Sequence, residues 1–189
     1  IRGLAAHAAI AIENARHYQN ALISTERRTI LHRVSQDMVR VNQSPEQIYQ
    51  AIYEAARELM PCDAFVLSLR FENQKDDQAV YLVDQGKRYP STSVTKESSI
   101  ISLVEKSHSH IVHDIATAEL GHVTTRFGSS IKVRSMLVSP LQVDGKVLGA
   151  ISTQSYEANA YGEEERLLLE MLATHAVTAI ENARLYQTA

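Results

Sequence analysis

Residues 135–156 read "SMLVSPLQVDGKVLGAISTQSY": two apolar runs folded back on one another through Asp144-Gly145. An Asp-Gly pair between alternating apolar segments is among the strongest short-range signals for a two-residue hairpin. This commits the chain to antiparallel sheet, and the other segments are read by how they complete it. Pro140 lies inside the first run; lacking an N–H, it predicts a sheet edge or a bulge there.

"CDAFVLSLRF" at 62–71 puts Phe65, Leu67, Leu69 and Phe71 on one face by strict alternation, which predicts a strand. "AVYLVDQG" at 79–86 is its expected hairpin partner across a polar turn at 72–78. Residues 87–98 are polar with Pro90 and are expected as a loop. "SIISLVEKS" predicts a short helix, "HIVHDI" a short strand, and 116–130 irregular chain. Ser44-Pro45-Glu46-Gln47 has the capping-box spacing with proline in the first turn. The helix it opens would bury Ile48, Ile52, Ala55 and Leu59 and end at Pro61. "GEEERLLLEMLATHAVTAIENARLYQ" predicts a long closing helix whose Glu163–Glu165 run suits the positive end of its dipole. Strands joined mainly by hairpins, with helices collected on the sheet, define an α+β domain.

The 189 residues suit one domain with helical extensions. The net charge of −3, with scattered Lys and Arg, gives no basic face and argues against nucleic acid. No apolar run reaches the ~18 residues that a membrane span needs, and no signal peptide is visible. A single cysteine, Cys62, excludes an internal disulfide and suits the cytoplasm.

The chain also repeats itself. "LAAHAAIAIENARHYQ" at 4–19 and "LATHAVTAIENARLYQ" at 172–187 agree at twelve of sixteen positions. Residues 4–43 hold neither Gly nor Pro and are expected as one long helix or two in line. Leu4, Ala8, Ala11, Ala15 and Tyr18, and again Leu172, Ala176, Ala179, Ala183 and Tyr186, recur at heptad spacing. They predict a parallel two-fold dimer seam formed by helices 4–42 and 163–187.

The order of elements, "SMLVSPLQVDGKVLGAIST" and "YGEEERLLLEMLATHAVTAIENARLY" together resemble the GAF domain over roughly residues 30–189. The resemblance implies a GAF/PAS-like central antiparallel sheet of about six strands, with long N- and C-terminal helices packed on one face. It also implies a small-molecule pocket on the other face. Residues 1–24 then read as the exit helix of a preceding GAF domain, and 25–189 as a GAF domain with a C-terminal signalling helix. The implied role is a regulatory, small-molecule-sensing module of a bacterial signalling protein. A sensor histidine kinase of a two-component system is the first expected host, and a diguanylate cyclase or phosphodiesterase the next. The competing reading is a structural dimerisation module that binds nothing. The chain departs from common family features: Ser98-Ser99 stands where Gly often opens the helix, and the Asn-Lys-Phe-Asp-Glu pattern of cyclic-nucleotide binders has no match. Cys62 lies at the first strand rather than near helix 99–107, which argues against a covalent tetrapyrrole (bilin).

Inward candidates for the pocket are Tyr81, Ile101, Val104, His113, Arg126, Ser139 and Ser152. His110, Thr124, Thr125 and Ser130 add polar character to the cover. Arg126 beside hydroxyls would suit an anionic ligand, a carboxylate or phosphate. His108, His110, His113 and His122 are the weak candidates for metal or haem; a solvated loop edge is the favoured reading, because no ligand-pair spacing is present. The fragment is expected not to be an enzyme. Neither His32 nor His175 has the context of a phosphoacceptor, no Gly-rich phosphate loop is present, and a GAF-fold methionine sulfoxide reductase needs several cysteines.

Overall fold

A computed structural model describes residues 29–30, 32–33, 36, 44–106, 108–120 and 127–187. The elements, in chain order, are helix α1 (Pro45–Leu59), strands β1 (Ala64–Leu69), β2 (Asp77–Asp84), β3 (Lys87–Tyr89) and β4 (Thr92–Val94), a 3-10 turn (Ile100–Leu103), β5 (His110–Val112), β6 (Ser135–Val143), β7 (Lys146–Ser155) and helix α2 (Glu163–Gln187). The sheet is antiparallel and seven-stranded, ordered β3-β2-β1-β7-β6-β5, with β4 also paired to β2. The stretch expected as a loop at 87–98 therefore contains two three-residue edge strands. Such short edge strands limit the open backbone that an edge offers to other chains.

The Ser44 hydroxyl accepts the Gln47 backbone amide at 3.4 Å, and the Gln47 side-chain Oε1 accepts the Ser44 backbone amide at 2.9 Å. This reciprocal cap starts α1 where the sequence places it. At the β6–β7 turn, Asp144 and Gly145 have φ of 50° and 78°, the left-handed pair that a two-residue hairpin turn requires. Pro140 falls on the part of β6 beyond the reach of β5, which pairs only with Met136–Val138. One residue further on, a bulge shifts the β6–β7 register between Leu141 and Gln142.

Two apolar layers sandwich the sheet. On one face, Ile48, Ile52 and Leu59 of α1 and Leu169, Leu172 and Ile180 of α2 pack on Phe65, Leu67, Leu137 and Ile151. Tyr53, Phe65 and Tyr81 form an aromatic cluster with ring centroids 5.5–6.4 Å apart. The Arg88 guanidinium lies over Tyr81 at 4.1 Å and donates to Glu46, tying β3 to the start of α1. On the other face, Val66, Leu82, Met136 and Val138 are covered by the turn residues Ile100 and Ile101 together with Val104. Among the described residues, no helix is long and apolar enough to cross a membrane.

Asp77 is wholly buried, and Arg70 pairs with it through two bonds of 2.8 and 2.9 Å while also reaching Glu105 at 3.0 Å. The paired carboxylate holds the Arg70 pKa above its ordinary value. Arg70→Met strands a buried charge and is expected to cost about 3 kcal/mol in urea denaturation. A cost below about 1 kcal/mol would mean that this pair does not organise the β1–β2 end.

Candidate functional site

The face opposite the helices carries the candidate site. Antiparallel partners standing directly opposite share a face. Leu82, Val66, Ser152 and Val138 therefore form one row across β2, β1, β7 and β6, under the turn that carries Ile101 and Val104. Ile101, Val104 and Ser152, expected on sequence grounds to face inward together, do lie on this face, and all three are buried. Ser152 is distinctive: its Oγ is the buried side-chain oxygen that has no hydrogen-bond partner among the described residues. An unsatisfied buried hydroxyl costs roughly 1–3 kcal/mol, so such a group calls for an explanation.

The other described candidates are placed elsewhere. Tyr81 stands opposite Leu67 and belongs to the helix-side core. Ser139 stands opposite Ile151 on that same side and accepts the Ser109 hydroxyl at 3.1 Å. It lines a separate cavity of about 290 Å³ with Gln142, Glu170 and Thr174. His113 is exposed, and its carbonyl accepts the Asn159 amide at 2.7 Å. Arg126, His122, Thr124 and Thr125 lie outside the described residues. His108 and His110 are exposed, and no group of three His, Cys, Asp or Glu converges among the described residues.

The cover is pinned at two points that the sequence reading missed. Asp84, nearly fully buried, accepts the Ser129 amide at 2.6 Å through one carboxylate oxygen and the Tyr156 hydroxyl through the other. Gly128 has φ of 86°, and a Cβ there would sit 2.4 Å from the Asp84 carboxylate, so only glycine allows this approach. Burial first, and then the bond to Asp84, raises the Tyr156 pKa. At the second point, Arg134 donates to Asp114 at 3.1 and 2.6 Å, while the Ile115 amide donates to the Arg134 carbonyl at 2.6 Å. The Arg134 guanidinium, helped by the Ala116 amide, holds the Asp114 carboxyl below the usual range. A single Asp, at the end of the apolar strand β2 for Asp84 and in loop chain for Asp114, gives no periodic signal that names its partner, which is why both were missed.

The expected dimer seam also needs correction. Leu172, Ala176 and Ala179 are buried in the chain's own core, and half-buried Ala183 packs against it. In the folded chain they offer no face to a second copy. Leu4, Ala8, Ala11, Ala15, Tyr18 and the side chain of Tyr186 lie outside the described residues. The outward stripe of α2 instead carries Leu167 and Met171, 49% and 46% exposed, followed by Thr174 and Thr178.

Cys62 donates toward the Ala64 carbonyl at 3.6 Å, and burial pushes its thiol up to about 12. It is therefore protonated at neutral pH and a poor nucleophile.

Solved structures share this architecture. The GAF domain of a phosphoenolpyruvate-protein phosphotransferase from Coxiella burnetii matches with a TM-score of 0.64 at 19% identity, over 86% of this chain and 97% of that one. The GAF domain of a two-component sensor histidine kinase from Bacillus halodurans matches with a TM-score of 0.64 at 17% identity, over 77% and 99%. The free methionine-R-sulfoxide reductase of Neisseria meningitidis, solved in complex with its substrate, matches with a TM-score of 0.62 at 17% identity, over 85% and 91%. At these identities the likeness is one of fold. No curated protein matches the sequence. The family model described as GAF domain matches residues 44–180, most of the chain, and covers both helices' core contacts, the sheet and the cover: the chain belongs to the GAF domain family.

Proposed function

We propose that this GAF domain is a regulatory module that takes up a small molecule between the sheet and its cover. It would relay occupancy through α2 to an output domain of a signalling protein, with a sensor histidine kinase as the first expected host. The observation that carries this reading is the unpartnered Ser152 hydroxyl, which stands between Val66 and Val138 in the row beneath Ile101 and Val104. One unpartnered hydroxyl among mainly apolar neighbours suits a compact, largely apolar ligand that offers a donor or acceptor to Ser152. The competing reading is a structural module whose cover has filled its own pocket, and the apolar packing of Ile100, Ile101 and Val104 on the sheet favours it.

The same hydroxyl separates the two readings. Ser152→Ala removes an unsatisfied group and is expected to raise the melting temperature of the ligand-free domain by a few degrees, about 1 kcal/mol in stability. A thermal-shift screen of nucleotides, amino acids and 2-oxoacids is expected to give a hit that the variant weakens at least about tenfold. A lower ligand-free melting temperature in Ser152→Ala, or a screen without hits, removes the sensing reading.

A homodimer is proposed through the outward stripe of α2, since the inner stripe is occupied. Met171→Glu changes an exposed position and leaves the core intact. Light scattering is expected to show the mass halved in this variant. A parent that is monomeric at high concentration, or a mass unchanged by Met171→Glu, removes the dimer.

Cys62 bears on an enzymatic role of the reductase kind. With its thiol near 12, its reaction with a disulfide reagent at pH 8 is expected to be on the order of a hundredfold slower than that of a free cysteine, the scarcity of thiolate being partly offset by its greater nucleophilicity. A rate close to that of free cysteine would reopen thiol chemistry for this chain.

A further inference from the structure

β5 pairs with Met136–Val138 alone, so beyond Val138 no strand of the described residues pairs with β6 on that side. α2 packs against β6. Between this open edge and the helix lies the cavity of about 290 Å³. Ser109, Ser139 and Gln142 line it from the sheet edge, and Glu170, Ala173 and Thr174 from α2. At ~30 Å³ per water it has room for roughly ten water molecules, or one small organic molecule with a few waters. It stands on the helix side of the sheet, away from the cover and from Ser152.

The polar groups of this cavity are biased toward accepting. The Ser109 hydroxyl gives its proton to Ser139 at 3.1 Å, and the Thr174 hydroxyl gives its proton to the Glu170 carbonyl at 2.9 Å. Each then offers only lone pairs to an occupant, and the Glu170 carboxylate can only accept. Within the described lining, the donors that remain are the Gln142 amide and the proton of Ser139, a hydroxyl that is 1% exposed and still lines the cavity. Charge points the same way. Among the described residues, no Lys, Arg or His lines the cavity. Arg166 pairs with both Glu163 and Glu170, so one guanidinium faces two carboxylates and one negative charge is left over at the wall. Such a lining repels an anion and calls for an occupant rich in donors and positively charged.

We propose that this cavity is a binding site for a small amino alcohol. Its primary ammonium carries three donors, which match Glu170 and Thr174, neighbours one turn apart on α2, and the Ser109 oxygen. Its hydroxyls meet Ser139 and Gln142, which can each donate and accept. The occupant touches β6, the segment entering β5 and α2 together. It therefore fixes α2 against the sheet edge directly, with no displacement relayed through the sheet. The proposal stands whether or not the cover takes up a ligand.

The test titrates 2-amino-1,3-propanediol into the 189-residue chain by calorimetry in phosphate buffer at neutral pH, where the amine is protonated. A saturable Kd on the order of 1 mM is expected for so small a molecule. Glycerol, which lacks the ammonium, is expected to bind at least about tenfold more weakly. Glu170→Gln removes the charge while Arg166 keeps Glu163, and is expected to weaken binding at least about tenfold. Ser109→Ala, at a half-buried loop position, is expected to weaken it about threefold or more and serves equally if Glu170→Gln lowers the melting temperature. Glu157→Gln removes an exposed charge elsewhere and is expected to leave the affinity within about twofold. Amide chemical shifts are expected to move at Ser109, Gln142 and Thr174 and to stay fixed at Val66 and Leu82, on the cover face. The proposal is overturned by titrations that do not saturate, by glycerol binding as tightly as the amine, by unchanged affinity in both Glu170→Gln and Ser109→Ala, or by shifts centred on the cover face.

Discussion

The fold depends on two central strands that are buried on both faces. Every residue of β1 is buried, as are Gly149–Thr153 along the middle of β7. A sheet whose centre is apolar on both sides cannot leave either side in water, so each needs its own covering layer. Two helices supply one layer with regular, closely packed stripes. The other layer is a 3-10 turn and irregular chain, which cannot satisfy its backbone by its own regular bonding. That asymmetry makes the second face the adaptable one and explains its dependence on single polar clamps. Asp84 holds the returning end of the cover at Ser129, and Arg134 with Asp114 holds its start.

The fold was readable because its signals are periodic. The capping box at Ser44, alternation through Phe65, Leu67 and Leu69, and the Asp144-Gly145 turn each describe a local geometry that the chain adopts. The site was less readable, because it depends on register. From the turn outward, a regular two-residue hairpin would pair Ser139 with Ala150 and put Ser139 and Ser152 on one face. The bulge between Leu141 and Gln142 instead pairs Ser139 with Ile151 and Ser152 with Val138. One extra residue moves every side chain beyond it to the opposite face. Nothing in "SPLQVDGKVLG" marks where that residue is inserted.

The seam was misjudged for a related reason. A heptad pattern shows that one face of a helix is apolar but not what it packs against. Leu172, Ala176 and Ala179 follow the spacing of a coiled coil while packing on a sheet. Alanines suit both settings, since small side chains let a helix approach a strand layer as closely as another helix. The sheet claims this face first, because it belongs to the same chain and needs no association from solution. Leu167 and Met171 are left outside, on a stripe too short and too mixed with threonine to stand out in the sequence.

This arrangement limits how the cover can influence α2. The two never belong to one apolar cluster; the sheet lies between them. β7 takes part in both layers, with Ala150 and Ser152 toward the cover and Ile151 and Thr153 toward the helices. Thr153 also donates its hydroxyl to the Met60 sulfur at 3.6 Å, at the end of α1. Anything that displaces β7 along or across the sheet from the Ser152 side moves Ile151 beneath α2 by the same amount, because a strand is stiff over two residues. Rotating α2 alone would expose Leu172, Ala176 and Ile180 and is costly at roughly 25 cal/mol per Å² of apolar surface. A shift of α2 with its sheet preserves that burial. Coupling between the two faces is therefore expected as a rigid displacement of helix and strand together.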